Sequence, residues 1–482
     1  MNIVALLEEL VNGLIAAEDK FLQNPKDFYS LEKSVKSTTE AFSAAFLSNV
    51  LTSINRQIYD DGWRKGKYKV QRTDSRTLIS SVGDVTFEST YYQKKSDGSY
   101  HYLVEEMLGL DSHERFTEEA EVILLTEALK TSYAEAARVL PSKQEITKTT
   151  VMNKVHGLAE NIPIQEQNVP KKQCKYLFIE ADEDHVAEQH GRWKPAGENS
   201  GFISKLAYVY EYKQESPTCK ARKELVNTFY FGGVYAGSER NEQFWDNVSD
   251  YIYANYDEDV LRHIYLMGDG GGWIKSGAKQ LDKALFCVDK YHMMKYINKA
   301  TNQMLDEKDV AKAEIYRLIY KRDKEGLLKY IDSMLASANN QEPIEDLQTF
   351  ISGNWSAITR TYHNKIITGC SAEGHVSHVL SDRLSSRPMG WSQTGADRMS
   401  KLRCYERNHG REKIIELVRY SREQRKLART GTDDIEPEKV TLRQIKSEHY
   451  SQARSYVDRI QASIPVGRAS KIACIRQHIR LF

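Results

Sequence analysis

The spacing of apolar residues changes several times along the chain, and each change marks a different kind of element. Residues 1–60 carry apolar positions three and four apart, as at Leu6, Leu7, Leu10, Val11 and Leu14, which predicts amphipathic helices. A basic clump, "DGWRKGKYKVQR", follows. The period then falls to two: "RTLISSVGDVTFESTYYQKKSDGSYHYLV" alternates apolar and aromatic with polar residues, broken at Gly83-Asp84 and Asp97-Gly98. A β-hairpin or small meander is therefore expected over 61–110. Helical spacing returns in three pieces, Phe116–Lys130, Tyr133–Leu140 and Thr147–Leu158, with a break at Pro141-Ser142. That segmentation predicts either a helix-turn-helix DNA reader over 111–165 or a plain helical bundle.

Beyond a linker at "NVPKKQCK" the chain alternates strands and helices. "KYLFIEADEDHVAE", "GFISKLAYVYEYKQ" and "KELVNTFYFGGVY" read as strands, "NEQFWDNVSDYIYANYD" as an amphipathic helix, and "RHIYLMGDGGGW" as a further strand. A short helix, "IKSGAKQLDKA", and a strand running into a helix, "LFCVDKYHMMKYI", complete a βββαβαβ order, the layout of a ribonuclease H-like domain, over 172–290. Purely helical spacing over 291–365 predicts an insertion, after which 366–400 would end the core and 401–482 form a basic helical region. The expected fold class is α+β / α/β: a ribonuclease H-like mixed-sheet core with a helical insertion, between a helical and hairpin N-terminal region and a basic helical C-terminal one.

The glycines of "YLMGDGGGWIKSG" (265–277) suggest a phosphate cradle, but the spacing excludes it. No Gly-Lys-Ser/Thr follows four residues after any of Gly268, Gly270, Gly271 or Gly272, and the dinucleotide pattern fails because position 273 is Trp273. What remains is a buried strand tipped by Asp269, read either as a structural turn or as an active-site acid.

In the first strand of this region, alternation sends Glu180, Asp182 and Asp184 to one face and Leu177, Ile179 and Ala181 to the other. The expected order makes this strand and the Asp269 strand central neighbours, bringing two carboxylates together at a cost that a cation would relieve. Two Mg²⁺ ions roughly 4 Å apart, for which Mn²⁺ could substitute, fit such a site, with Asp182 bridging both and Asp269 and a third acid holding one each. Glu373 is preferred to Asp382 as the third acid because it follows the Gly369-Cys370-Ser371 break. Asp184 shares the face of Asp182 and is the alternative to it. His185 and His375, each beside an acid, read as supporting or surface residues. Cys287 and His292 have no second Cys/His pair at ligand spacing, so no zinc site is expected.

Composition refines the picture. Among 482 residues the six cysteines are scattered without a C-x-x-C pair, which suits a reducing cytosol. No apolar run approaches the roughly 20 residues that span a bilayer, and the first 22 residues read as an acidic amphipathic helix rather than a signal peptide. A cytoplasmic protein, nucleoid-associated when bound to DNA, is expected, with no membrane partner. The net charge of +1 hides an asymmetry: from Arg383 onward there are 22 Lys/Arg against 11 Asp/Glu, while residues 1–382 carry 46 against 56. A basic segment of this kind suits either a polyanion or a solvated helical face. The DNA-contact candidates are Lys143, Lys148, Thr149 and Lys154 around the Thr147 helix, and Arg383, Arg387, Arg398, Lys401 and Arg403, with Trp391 and Tyr405 as stacking or core residues.

"YLFIEADEDHV", "YLMGDGGGWI", "FCVDKYHMMKYI" and "SAEGHVSHVLSDRLSSRPMGWS" together resemble the DDE transposases of bacterial insertion sequences, more narrowly the ISLre-like group of Gram-positive bacteria, also catalogued as an uncharacterised protein family. The likeness covers nearly the whole chain. It implies Mg²⁺-dependent cleavage of element ends and 3′-hydroxyl strand transfer, binding of double-stranded terminal inverted repeats and target DNA, and a homodimer or larger synaptic complex. Asp182, Asp269 and Glu373 match the triad, and Asp289-Lys290-Tyr291-His292 resembles the [CD]-x-x-H motif of Mutator-type transposases. The Y-x-x-R-x-x-x-E-x-x-x-x-x-x-K signature of another transposase group is absent around Glu373. A ribonuclease H-like nuclease that cuts without joining, and an inactive DNA-binding remnant, are the competing readings.

Overall fold

The computed structural model describes residues 3–111, 113–158, 162, 170–189, 201–219, 223–387, 389–429, 451, 454 and 455. They fall into two units: Met1–Ala128, Ser132–Lys154 and Val418–Phe482 form one, Leu129–Thr131 and Val155–Leu417 the other.

The first unit starts with two antiparallel-spaced helices, α1 (Ile3–Gln23) and α2 (Phe28–Asp60), where Asp27 caps α2 by accepting from the Ser30 N–H at 3.1 Å. The basic clump is divided between α3 (Gly62–Lys67) and the start of β1 (Tyr68–Ser80), so the strand begins earlier than its alternation suggested. β1, β2 (Gly83–Lys94) and β3 (Tyr100–Tyr102) form an antiparallel sheet in that order. Leu78, Phe87 and Tyr92 of the sheet share one buried cluster with Ile58 of α2 and with Leu103 and Val104 of α4 (Leu103–Met107).

The next helices are α5 (Glu118–Ala128), α6 (Tyr133–Ala136) and α7 (Lys148–His156). α6 is a single turn, and residues 137–147 connect it to α7. That connection is longer than the roughly three- to four-residue turn of a helix-turn-helix. Asp84 at the hairpin tip pins it, accepting from Ser142 Oγ at 2.5 Å and from the Lys143 N–H at 3.1 Å.

The second unit is built on a five-stranded mixed sheet of order β10-β9-β4-β5-β8, compatible with the expected ribonuclease H-like layout. β4 (Tyr176–Ala187) is antiparallel to β5 (Gly201–Tyr210), which is antiparallel to β8 (Phe229–Gly233). On its other side β4 runs parallel to β9 (His263–Gly268), and β9 parallel to β10 (Ala284–Val288). The single strand expected over 223–235 is divided. Asn227 turns at φ 54, so β7 (Lys223–Val226) pairs with β6 (Tyr212–Glu215) in a separate hairpin before β8 begins.

Leu177, Ile179 and Ala181 of β4 pack against Phe244, Trp245 and Val248 of α8 (Gly237–Asn255) and Ile274 of α9 (Gly272–Gln280). One face of the sheet is thus sealed by apolar residues, which leaves the acids of β4 on the other. After β10 comes the helical insertion: α10 (Lys290–Thr301), α11 (Lys308–Lys321), α12 (Lys324–Ser337) and α13 (Glu342–His363). Its core, with Met293, Ile297, Ile315, Leu327 and Ile351 fully buried, continues onto Val288 of β10. The chain returns through α14 (Ala372–Val376), a π-helical turn at Ser377–Ser381, α15 (Asp382–Leu384) and α16 (Gln393–His409). α17 (Ile414–Arg429) follows, and from Val418 it belongs to the first unit. The remainder of the basic C-terminal region lies almost wholly outside the described residues, within which no helix is long and apolar enough to cross a membrane.

Gly268 ends β9 where no side chain fits: a Cβ there would lie 2.9 Å from the Ala181 carbonyl oxygen and 2.8 Å from Ile274 Cδ1. Gly268→Ala should therefore destabilise the protein by about 1–3 kcal/mol, read as a lowered urea midpoint with an unchanged slope.

Candidate active site

The parallel register of β4 and β9 places Glu180 opposite Met267, and two residues further along it Asp182 is level with Asp269. Asp269 sits just past the strand end, and the glycines after it make the turn. Gly270 has φ +98, a conformation that favours glycine, and the Gly271 N–H donates to Asp269 Oδ1 at 2.8 Å. Asp269 is thus part of the turn itself, its carboxylate held by the turn's own backbone. The Gly268 carbonyl accepts from the Asp289 N–H at 2.9 Å, which fixes the start of α10 beside the same strand end.

Asp289 caps α10, accepting from the Tyr291 N–H at 3.0 Å, and its second oxygen holds His292 Nδ1 at 3.0 Å. That hydrogen bond raises the His292 pKa; burial opposes the rise, and the negative charges of Asp289, Asp182 and Asp269 add to it. His292 is thus tied by charge to the two strand acids.

Asp182 is 8% exposed, and its Oδ1 accepts from the Glu183 N–H at 2.9 Å. Burial pushes its carboxyl up to about 6; the Glu183 N–H and His292 pull the other way, while the charges of Asp269 and Glu373 push it further up. Asp182, Asp269, Glu373 and His292 therefore share one electrostatic neighbourhood. Among the described residues, no three His, Cys, Asp or Glu side chains are gathered closely enough to hold a cation as they stand.

The flanking acids of β4 behave differently from Asp182. Glu180 is fully buried, in an ion pair with Lys213 at 2.7 Å and in hydrogen bonds to Tyr208, Tyr210 and Ser371. Burial alone would raise its pKa, but Lys213 and the hydrogen bonds outweigh it and hold the group below the ordinary value. Asp184 accepts from Ser381 Oγ at 2.9 Å and Ser385 Oγ at 2.7 Å, and burial raises its carboxyl. His185 is largely exposed beside Glu183 at 3.7 Å, whereas His375 is packed against Tyr208 and bonded to the Tyr230 hydroxyl at 2.9 Å.

The basic candidates divide in two. Lys143, Lys148, Thr149 and Arg387 are exposed. The others are engaged within the protein, because a buried cation needs a partner. Lys154 binds Glu114 at 2.6 Å and Glu121 at 3.2 Å, Arg383 lies over the Trp391 ring, and Lys401 binds Asp397 at 3.0 Å. Arg398 is 3.9 Å from the same Asp397, and Arg403 is buried with its guanidinium on the carbonyls of Leu129, His378 and Val379. These five are each held by partners within the protein. Trp391 and Tyr405 are core residues. In the first unit Arg419, Arg422 and Arg425 likewise pair with Glu118, Glu121 and Glu114.

Three residues near the acids were not singled out from sequence. Ser371 and Lys213 belong to the Glu180 cluster. Asn354 of α13 brings a buried amide to the Asp269 turn: its Oδ1 has no hydrogen-bond partner and lies 3.4 Å from where a Gly270 Cβ would stand.

Residues 21–421 match the uncharacterised protein family UPF0236. The chain belongs to that family. Similar members come from Caldanaerobacter subterraneus subsp. tengcongensis: UPF0236 protein TTE0402 is 35% identical over 385 residues, covering 79% of this chain and 74% of its own length. UPF0236 protein TTE2489 is 34% identical, covering 79% of each chain. A third, whose name joins eleven designations from TTE0033 to TTE2212, is 34% identical over 402 residues, 83% of this chain and 82% of its own. Among solved structures, the Drosophila P element transposase strand transfer complex aligns with 75% of this chain and 94% of its own at 10% identity and a TM-score of 0.20, too low to bear on fold or function.

The raised Asp182 pKa has a consequence for stability. Between the model-peptide value of 3.8 and about 6, the folded protein keeps a proton that the unfolded chain has lost, so stability falls as pH rises through that window and is level above it. Asp182→Asn should stabilise the metal-free protein at pH 7.5, by up to roughly 3 kcal/mol, with the gain fading toward pH 4. Urea melts in EDTA at the two pH values check this.

Proposed function

We propose that this protein is a DNA transposase of an insertion sequence, which cleaves element ends and joins the freed 3′-hydroxyl to target DNA. The observation that carries the reading is that Asp269 and Glu373, from distant parts of the chain, both bear electrostatically on the buried Asp182 carboxyl. Asp269 follows directly on β9, the parallel neighbour of the Asp182 strand, and Glu373 comes after the helical insertion. The strand order of the sheet supports a ribonuclease H-like core. Two relatives carry names that join eleven and four designations, which suits the mobile-element reading rather than the fold.

The donor chemistry fits Mg²⁺ or Mn²⁺: three carboxylates are hard oxygen ligands, and the strain on Asp182 is of the kind a cation relieves. Asp182, Asp269 and Glu373 would hold the ions, which requires them to draw together from their present spacing. Bound there, the metal would supply activation of the attacking hydroxyl and stabilisation of the leaving oxygen. The protein's own part is placement. Gly268 and Gly270 let the backbone bring Asp269 alongside Asp182, and Asp289 fixes the ring of His292 through its Nδ1. Exposed Lys143, Lys148 and Arg387 would contact the DNA backbone, and a dimer or larger assembly would hold paired ends.

A strand-transfer assay on element-end DNA with Mg²⁺ tests this. Asp182→Ala, Asp269→Ala and Glu373→Ala should each lose at least about 10²–10³-fold in both cleavage and joining, while Arg387→Ala should only weaken DNA binding and reduce its salt dependence. Wild-type activity in the three acid variants would refute the assignment. Cleavage without joining by the wild type would instead indicate a nuclease.

A further inference from the structure

We propose that Glu180 and Asp184 are positioning residues that clamp the segment carrying Glu373 at both ends and so hold Glu373 toward Asp182. This deepens, and rests on, the reading of Asp182 and Glu373 as metal-holding acids.

The clamp follows from strand geometry. Glu180, Asp182 and Asp184 occupy alternate positions of β4 and share one face. The first of them fixes the entry to the helical segment. Glu180 Oε2 accepts from the Ser371 N–H at 2.6 Å and Ser371 Oγ at 2.9 Å, and from the Tyr208 hydroxyl; Oε1 accepts from the Tyr210 hydroxyl and from Lys213 Nζ, each at 2.7 Å. Lys213 also donates to the Gly369 carbonyl at 2.9 Å, so the same cluster holds the chain on both sides of Cys370. The last acid fixes the exit: Asp184 Oδ1 accepts from Ser381 Oγ at 2.9 Å and Ser385 Oγ at 2.7 Å.

The two anchored spans also agree in length. From Glu180 to Asp184 the strand rises about 13 Å, and the Ser371–Ser381 segment, α-helical and then π-helical, rises at most about 15 Å. Two nearly commensurate rods joined at both ends leave the central acid of one facing the side of the other. Glu373 lies two residues inside the first anchor.

Stability alone does not account for this arrangement. A buried ion pair is no better for stability than well-packed apolar residues of similar volume, and the buried Asp184 Oδ2 has no hydrogen-bond partner at all. What the polar clamp supplies, and apolar packing would not, is a single placement of the Ser371 backbone and therefore of Glu373.

The test uses the full chain and Mn²⁺ alone, titrated by calorimetry, with folding monitored by far-UV circular dichroism and melting. Wild type should bind Mn²⁺, and Asp182→Asn and Glu373→Gln should each weaken binding at least tenfold. Glu180→Gln and the milder Ser371→Ala should weaken it roughly three- to thirtyfold, as should the pair Ser381→Ala/Ser385→Ala. If Glu180→Gln fails to fold, Ser371→Ala carries the same test. The decisive arm places Ser371→Ala in the Glu373→Gln background, where it should have no further effect, since a residue that acts through Glu373 cannot act once that carboxylate is gone. Equal weakening with and without the Glu373 carboxylate, or clamp variants that bind as wild type while the two ligand variants do not, would overturn the positioning role and leave the site reading intact. Unchanged binding in Asp182→Asn and Glu373→Gln would overturn the site reading, and the clamp with it.

Discussion

Burying three carboxylates along one face of one strand is tolerable only if each is compensated, and the second unit is organised around how that is done. Glu180 is neutralised by Lys213 and surrounded by hydroxyl donors. Asp184 is shared by two serines. Asp182, between them, has one backbone N–H, a histidine at a distance and two further acids nearby. Asp182 is thus the acid of the three with the fewest hydrogen-bond donors, and burial raises its carboxyl while the charges of Asp269 and Glu373 add to the rise.

The sheet makes this possible by dividing its labour between faces. Leu177, Ile179 and Ala181 seal one side against α8 and α9, and that apolar core holds β4 and β9 in register. Only with the register fixed by packing can the opposite face carry charge without the strand slipping, since a one-residue slip would turn the acids into the core and the apolar residues out. The close approach at Gly268 belongs to the same arrangement, because it brings the end of β9 directly onto the Ala181 carbonyl next to Asp182.

Much of this was legible in the sequence. Alternation in "YLFIEADEDHV" identified the acidic face, and the βββαβαβ order gave the neighbouring central strands and the helical insertion. The limits of β1 and β8 were less visible. β1 begins within a basic clump because Tyr68 is buried there, and β8 is cut from its apparent continuation by the left-handed turn at Asn227. The basic residues were the least readable. Composition counts Arg403 and Lys154 as cations, but whether a cation meets solvent or a buried acceptor depends on tertiary neighbours such as Glu114, 40 residues from Lys154, or the Leu129 carbonyl, 274 residues from Arg403. The role of Glu180 was hidden for the same reason. It reads as one more acid in an acidic run, and only the approach of Ser371, 191 residues on, gives it a task.

The helical insertion leaves the sheet at Asp289, bonded to Gly268, and comes back at Ser371, bonded to Glu180, so its two ends are tethered to adjacent strands. Between those tethers its core is shared with β10 through Val288, and α13 is bonded back to the same strand by Thr361 donating to the Val288 carbonyl at 3.0 Å. An excursion that starts and finishes at the same doorway can grow, shrink or be exchanged without altering the distance between its hinges. The fold therefore allows relatives to differ in the bulk of this appendage while the spacing of the acids at its base stays the same.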